Sequence, residues 1–138
     1  MVRIVANAPK YHEFIRTLRN DPRVQTGFLE VVSITAEQQD AYMVKHAERY
    51  LLCLIDDAPV GYVGSIDGDI RVCTHPDFQG RGVGRAMINA IMQRFPESHA
   101  RLKPGNTSSL AMFEACGFLP AGEVDGLLMY RRPTVDPL

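Results

Sequence analysis

The sequence contains no tryptophan and only three cysteines among its 138 residues. Cys53, Cys73 and Cys116 are odd in number and far apart, so they predict neither a disulfide framework nor a zinc site. The four histidines are equally scattered, and no C-x-x-C, H-E-x-x-H or G-x-S-x-G pattern occurs. These absences argue against a disulfide-stabilised domain, a zinc protease and a serine hydrolase. We therefore expect no bound metal.

The sequence also lacks an excess of charge of either sign and lacks long apolar runs. Fifteen basic residues face sixteen acidic ones, for a net charge of -1. This balance gives no global positive field, so we expect no nucleic-acid partner. The apolar run Tyr50–Ile55 is far shorter than the roughly 20 residues that cross a bilayer, so we expect no membrane partner. Met1–Lys10 lacks the apolar core of a signal peptide, and the expected compartment is the cytoplasm.

Length and composition fit one domain over residues 1–138, with residues 133–138 as a loose tail. Apolar periodicity and turn signals predict the order β-α-α-β-β-β-α-β-α-β-β. Two local signals stand out: Asp67-Gly68 is typical of a tight hairpin, and Gly117 is typical of a helix end. The predicted strands cover residues 2–6, 50–55, 60–66, 70–74, 100–103, 118–121 and 127–131. The predicted helices begin near Pro9, at Ser33 or Thr35, near Gly82, and at Asn106 or Thr107.

A glycine-rich turn, Gln79–Arg85, joins the predicted strand 70–74 to the helix that follows it. Such a turn directs several backbone N–H groups and the positive end of a helix dipole at one point, which makes a site for phosphate. Its three glycines, at positions 80, 82 and 84, let the backbone approach a bulky anion. Arg81 and Arg85 add charged hydrogen-bond donors.

The spacing of these glycines narrows the choice of ligand. A P-loop requires Gly-Lys-Ser/Thr, which is absent, and the dinucleotide fingerprint requires G-x-G-x-x-G, whereas this turn has G-x-G-x-G. The pattern that fits is Gln-x-x-Gly-x-Gly, formed by Gln79, Gly82 and Gly84. It resembles the acetyl-CoA signature of the GNAT N-acetyltransferase superfamily. A turn without any ligand is the alternative that this motif alone leaves open.

A second motif strengthens the resemblance. Asn106 is followed seven residues later by Phe113, and the segment ends in Gly117-Phe118. This is similar to the family's Asn, its Tyr and its closing Gly-Phe. The predicted order of elements is also that of the GNAT fold. The resemblance therefore implies an α/β fold with a mixed, mostly antiparallel sheet of six to seven strands, flanked by about four helices and splayed at its central strands.

The resemblance further implies acetyl-CoA as the co-substrate. Its pantetheine arm would pair with the main chain of strand 70–74, which separates from strand 100–103, and its pyrophosphate would lie on the glycine-rich turn. A backbone N–H group of strand 70–74 would serve the oxyanion. The cofactor-binding residues implied in this way are Val72, Cys73, Thr74, Gln79, Gly80, Arg81, Gly82, Val83, Gly84, Arg85, Asn106, Ser109 and Phe113.

The sequence departs from the family at the catalytic positions. The family's usual acid is a Tyr, and Phe113 occupies that position here. Ribosomal-protein alanine acetyltransferases use a Glu five residues before the motif Asn, and Arg101 occupies that position. Ser109, on the same helical face as Phe113, and Tyr130 are the candidate catalytic donors, and Tyr62 is a further one. Each of the three also has a structural interpretation, as a helix first-turn residue or as core.

Three carboxylates are candidates for the general base: Glu30, Asp67 and Asp69. Asp67 also fits a turn, and Asp69 also fits a solvated strand end. Without a clear base, the peptide N-terminus mechanism cannot be carried over to this chain.

The acceptor is the least determined part of the prediction. Arg101 and Lys103 alternate on one face of the predicted strand 100–103, either as an anion-binding wall for the acceptor or as a solvated edge. The sequence thus predicts acetyl transfer to a primary amine of a small molecule, and an anionic one if Arg101 and Lys103 form such a wall. The alternatives are a protein Nα- or lysine acetyltransferase, and a non-catalytic acyl-CoA-binding sensor. A homodimer is compatible with the sequence.

Overall fold

The computed structural model describes residues 1–25, 27–29 and 33–133. Within these ranges it has seven strands and five α-helices, in the order predicted from the sequence apart from one extra short helix. The strands are β1 (Val2–Ala6), β2 (Tyr50–Ile55), β3 (Ala58–Ile66), β4 (Asp69–Thr74), β5 (His99–Leu102), β6 (Leu119–Val124) and β7 (Leu127–Arg131). The helices are α1 (His12–Asn20), α2 (Pro22–Gln25), α3 (Ala36–His46), α4 (Val83–Arg94) and α5 (Thr107–Ala115).

One sheet runs through the whole domain in the order β1-β2-β3-β4-β5-β7-β6. Neighbouring strands are antiparallel except for β4 and β5, which are parallel. That parallel pair is joined in register at Asp69 and His99, at the beginning of both strands. On their outer sides the pairing continues, as far as Thr74 with Gly61 and Leu102 with Leu128. The strands therefore separate in the middle of the sheet, as the resemblance implied.

Helices cover both faces of the sheet. Alternate residues of each strand point to opposite sides, so each face supplies apolar side chains to a core of its own. One core cluster joins the strands to α4 and α5 through residues such as Met87, Ile91 and Phe113. The other joins them to α1 and α3 through residues such as Ile15 and Met43. No helix in the described part of the chain is both long and apolar enough to cross a membrane.

Local signals account for most element boundaries. Thr35 caps α3 in a reciprocal pair with Gln38, one of the two predicted caps. Asp67 and Gly68 both have positive φ, 53° and 81°, in the predicted tight turn between β3 and β4. Asn106 caps α5 through its side chain. Residues 26 and 30–32, and the tail from 134 onward, lie outside the described residues.

Gly64 of β3 leaves room for the aromatic ring of Tyr50, which lies on the face of the sheet that carries α1. It pairs with Tyr50 on one side and with Arg71 on the other. A Cβ atom at Gly64 would stand 2.5 Å from Cε1 of Tyr50, so the Tyr50 ring lies directly over this glycine. Tyr50 is 2% exposed, and its hydroxyl is 2.7 Å from that of Tyr42. The missing side chain at position 64 is thus what lets an aromatic ring lie flat on the sheet.

Gly64→Ala should therefore destabilise the fold, since the buried Tyr50 ring cannot move aside freely. We expect a loss of about 1–3 kcal/mol in the free energy of unfolding, measured by denaturant titration. Gly105→Ala is the matched control, because a Cβ there would meet nothing within 4 Å and should change stability by less than about 0.5 kcal/mol. Equal stability of both variants would show that Tyr50 does not depend on Gly64.

Candidate active site

The glycine-rich turn forms one side of the site. After β4, residues Pro76–Phe78 form a single 3-10 turn, and α4 begins at Val83 with Gly82 as its N-cap. Gly80 and Gly82 have φ values of 79° and 78°, which glycine adopts at little cost. A Cβ at either position would meet nothing within 4 Å, so the turn is open toward solvent. The first backbone N–H groups of a twelve-residue helix lie beside this open turn, an arrangement that can bind an anion.

Gly84 has a different role from the other two glycines. It lies inside α4, and a Cβ atom there would stand 2.3 Å from Sδ of Met112. The absence of a side chain lets α4 pack closely against α5. Treating position 84 as part of a surface turn, as the sequence motif invites, is therefore wrong.

The first cavity, of about 510 Å³, extends from this turn along the end of β4 to the beginning of α5. All of the cofactor-binding residues predicted from the sequence line it except Arg81 and Phe113. The Arg81 guanidinium instead lies 5.1 Å from the centre of the Phe78 ring. Lining residues that the motif did not predict are Arg23, Val24, Gly27, Phe28, Phe78, Ser108 and Met112.

Asn106 lies opposite the β4 main chain, at the wall of this cavity. Its Oδ1 accepts hydrogen bonds from the Ser109 backbone N–H and the Ser108 hydroxyl, both at 3.3 Å. The side chain therefore caps α5. A helix cap and a ligand contact were predicted as compatible roles, and the cap is confirmed while the contact stays a prediction.

A second cavity, of about 380 Å³, adjoins the first. Val72 and Ser109, together with the segment Gly27–Phe28, line both. Ser109 therefore lies where the two cavities meet. Phe113, 1% exposed, belongs to the wall of the second cavity and packs edge-to-face on Phe118, with ring centres 5.1 Å apart.

Asp69 faces the second cavity and is buried, at 8% exposure. Both of its carboxylate oxygens accept from Arg101, at 3.1 and 2.9 Å. The interpretation of Asp69 as a solvated strand end is therefore wrong. The structure also does not bring Arg101 and Lys103 together as one basic wall of a cavity. Arg101 is paired with Asp69, whereas Lys103 lies beyond the end of β5 and lines neither cavity. Asp67 lies in its turn, and Glu30 falls outside the described residues.

Of the two candidate tyrosines, Tyr62 faces a cavity and Tyr130 does not. Tyr62 lines the second cavity, and burial raises its pKa well above the usual value, so its hydroxyl keeps its proton at neutral pH. Tyr130 lines neither cavity, and its hydroxyl donates to Oε1 of Glu114 at 3.3 Å. Cys73 contributes to the first cavity, and burial raises its pKa to about 12, so it stays a thiol. The geometry thus favours Tyr62 over Tyr130 as a donor.

Two arginines of the second cavity were not predicted, Arg19 of α1 and Arg71 of β4. Alternation along β4 places Arg71 on the same face as Asp69 and Cys73, which is a signal the sequence contains. Arg19 gives no such signal, because α1 and β4 are far apart in the chain. In the described part of the chain, no group of His, Cys, Asp and Glu could hold a metal ion.

Comparison with known proteins identifies the family. The model described as Acetyltransferase (GNAT) family matches residues 12–118. The chain belongs to the GNAT acetyltransferase family. Enzymes of this family use acetyl-CoA, so the chain is an N-acetyltransferase with acetyl-CoA as its co-substrate. No curated protein sequence matches it.

Solved structures of GNAT acetyltransferases share the fold. Spermidine N-acetyltransferase from Vibrio cholerae, in complex with CoA and spermine, has a TM-score of 0.78 at 16% identity, covering 94% of this chain and 92% of that one. A protein described as an acetyltransferase of Salmonella typhimurium, with its cofactor acetyl-CoA, has a TM-score of 0.76 at 17% identity, covering 99% of this chain and 98% of that one. Ribosomal-protein-alanine N-acetyltransferase from Brucella melitensis has a TM-score of 0.75 at 16% identity, covering 94% of this chain and 96% of that one. The predicted fold class is confirmed.

The glycine-rich turn gives a direct test of the acetyl-CoA site. Gly82→Asp places a carboxylate beside the predicted phosphates, whereas Gly82→Asn adds a side chain of nearly the same size without charge. Both residues tolerate positive φ better than most, so the backbone cost is shared. We expect calorimetric titration to show at least about tenfold weaker acetyl-CoA binding for the Asp variant than for the Asn variant. Equal affinities would remove the phosphates from this turn.

Proposed function

We propose that this protein acetylates a primary amine of a small molecule that binds in the second cavity. The observation that carries the proposal is the junction of the two cavities at Val72 and Ser109, in the gap between β4 and β5. A co-substrate in the first cavity and an amine in the second would meet there. Holding two reactants in this way removes most of the entropic cost of bringing them together.

The lining of the first cavity supplies the donors that acetyl-CoA would need. The open glycines leave room for a pyrophosphate at the start of α4, and Arg85 and Arg23 line the same cavity. Arg23 also pairs with Asp21, which holds the pKa of that carboxyl down at about 2, so the carboxylate stays ionised. When bound, acetyl-CoA supplies the thioester that the amine attacks. Backbone N–H groups of Val72–Thr74, which line this cavity, would donate to the carbonyl oxygen.

Two hydroxyls are available to protonate or hydrogen-bond a leaving thiolate. Ser109 lies at the junction itself, and Tyr62 lies in the second cavity. We assign the larger contribution to Tyr62, because it lines the second cavity and no hydrogen bond joins its hydroxyl to another described residue. Burial raises the pKa of Tyr62, so its hydroxyl would stabilise the thiolate as a hydrogen-bond donor and would keep its own proton. Ser109 is an auxiliary donor.

No ready general base lies in the second cavity within the described residues. Asp69 is the carboxylate there, and both of its oxygens accept from Arg101. An amine that is already largely neutral near pH 7 asks least of such a site. Lysine, with a pKa near ~10.4, is neutral in fewer than about one molecule in a thousand, whereas an α-amine near ~7.8 is neutral in more than about a tenth. The proposed acceptor therefore has a low amine pKa.

Related structures support other acceptor classes less well. Two neighbours are named for spermidine and one for a ribosomal protein, at 16% identity each. The cavity here, of about 380 Å³, fits a small molecule. A non-catalytic sensor would bind acetyl-CoA without releasing CoA in the presence of any amine, and release of CoA therefore separates the two hypotheses.

Amine pKa should control the rate if no carboxylate base acts. Across acceptors graded by amine pKa, kcat/KM at pH 7 should rise as that pKa falls. For each acceptor, kcat/KM should increase with pH and level off near its own amine pKa, because only the neutral amine attacks. Release of CoA, followed with a thiol reagent, measures both. Efficient acetylation of peptide lysine with a pH profile independent of the acceptor would show that a base exists.

The two tyrosines form a matched pair for testing the proton donor. Tyr62→Phe and Tyr130→Phe each remove one buried phenol hydroxyl, but only the first comes from a cavity wall. We expect Tyr62→Phe to lower kcat by about tenfold or more and Tyr130→Phe to leave it nearly unchanged. Ser109→Ala should cost at most about tenfold. Equal effects of the two Tyr variants on kcat would contradict the assignment of Tyr62.

A further inference from the structure

The walls of the second cavity carry an excess of positive charge. Four charged side chains line it: Arg19, Asp69, Arg71 and Arg101. Asp69 and Arg101 form a two-point ion pair with each other. Arg19 and Arg71 therefore contribute two positive charges that no carboxylate of the described cavity wall balances.

Arg19 and Arg71 line the same cavity and act on the same neighbour, Tyr50. Arg71 stands beside Gly64 in register, and the Tyr50 ring that covers Gly64 extends toward it. Burial raises the pKa of Tyr50, while the positive charges of Arg19 and Arg71 both act against that rise. Two cavity-lining residues from separate elements thus both act on one buried phenol, that of Tyr50, on the α1 side of the sheet.

Their hydrogen-bonding edges are not used within the described structure. Arg71 is half-buried, yet it makes no hydrogen bond or ion pair with another described residue. Arg19 lies over the Tyr42 ring, with 5.2 Å from its Cζ to the ring centre. This contact uses the face of the guanidinium and leaves its N–H edge available. A partly desolvated cation without a partner is unfavourable, which indicates a ligand of opposite charge.

We infer that Arg71 and Arg19 bind an oxyanion, a carboxylate or a phosphate, that the acceptor itself carries. The inference rests on the proposed function and names its substrate class: a primary amine that also bears an oxyanion. Arginine suits this task because its planar fork donates two parallel hydrogen bonds to either group. The expected anion site therefore moves from Arg101 and Lys103 to Arg71 and Arg19.

Strand geometry limits the length of such a molecule. Arg71 and Cys73 are two residues apart on β4, which corresponds to about 6.6 Å along the strand. The amine has to reach the main chain of Val72–Thr74, while the oxyanion lies at Arg71 and toward α1. A small molecule with a few bonds between amine and oxyanion meets this requirement. A polyamine, which has a second cation in place of the oxyanion, does not.

Matched acceptor pairs test the inference. Glucosamine 6-phosphate is compared with glucosamine, and β-alanine with propylamine, so that phosphate and carboxylate are examined in separate arms; spermidine is the cationic comparison. Binding in the presence of CoA is measured by calorimetry, and kcat/KM by release of CoA from acetyl-CoA. We expect the anionic member to be preferred by at least about tenfold in one arm, and spermidine to be the weakest. Equal or reversed preference in both arms overturns the inference.

Variants of Arg71 identify the residue responsible. Arg71→Gln should reduce the preference for the anionic member by about 10- to 100-fold, Arg71→Lys should restore part of it, and Arg19→Gln should act in the same direction. Arg94→Gln is the control, because this exposed arginine at the end of α4 lines neither cavity and should leave the preference unchanged. An unchanged preference in Arg71→Gln and Arg19→Gln proteins that melt at the wild-type temperature also overturns it.

The binding and turnover measurements separate this inference from the proposed function. Loss of anionic binding in the Arg71 variants, with no release of CoA for any amine, would support the anion site and contradict the enzyme. Turnover of neutral amines without any anionic preference would support the enzyme and contradict the anion site.

Discussion

The separation of β4 from β5 is the constraint on which the whole site depends. The two strands are joined in register at Asp69 and His99, and the Asp69–Arg101 ion pair fastens the same end. Farther along, each strand is held by its other neighbour, β3 or β7, so the sheet stays continuous while its middle opens. Beside this opening, the cavity that contains the glycine-rich turn meets the second cavity at Val72 and Ser109. Asp69 thus has a structural role, because its ion pair with Arg101 holds β4 and β5 together at the end where they meet. This role explains why a carboxylate that faces the second cavity is paired with an arginine.

Much of the fold could be predicted from the sequence, because its signals are local. Strands β1, β2 and β7 have the predicted bounds, since apolar runs there end at turn residues with strong preferences. The glycine-rich turn was found for the same reason, as a short motif with a physical role in binding phosphate. Boundaries were less accurate where pairing decides them, as in β5, which begins one residue early because His99 pairs with Asp69 and Arg131. The short helix α2 was not predicted, since four residues give too little periodicity.

The acceptor side could not be predicted in the same way, because its contacts join residues far apart in the chain. Arg101 meets Asp69 across 32 positions, and this pairing turns an expected anion-binding residue into a structural one. Gly84 shows the same limit, since its role is set by Met112 of another helix. Arg71 lies one strand away from Gly64, and only the register of β3 and β4 shows that the Tyr50 ring extends toward it. Alternation gives the face on which a side chain lies, but the neighbours on that face come from tertiary packing.

The positive cavity and the missing base are connected by electrostatics. A cation beside a bound amine disfavours the ammonium form and lowers the pKa of that amine. Arg71 and Arg19 would therefore act on both ends of an acceptor: they hold its oxyanion and they favour the neutral amine at the other end. The two effects oppose each other once the oxyanion is in place, since it cancels part of the positive field, so the remaining charge decides the pKa of the bound amine. That pKa governs kcat, whereas the pKa of the free amine governs kcat/KM. Two arginines facing one carboxylate leave a net positive field, which explains how a site without an available carboxylate base can still present a neutral amine to the thioester. A phosphate, with a charge of about -1.5 to -2 at pH 7, would cancel most of that field, so this effect is largest for a carboxylate-bearing acceptor.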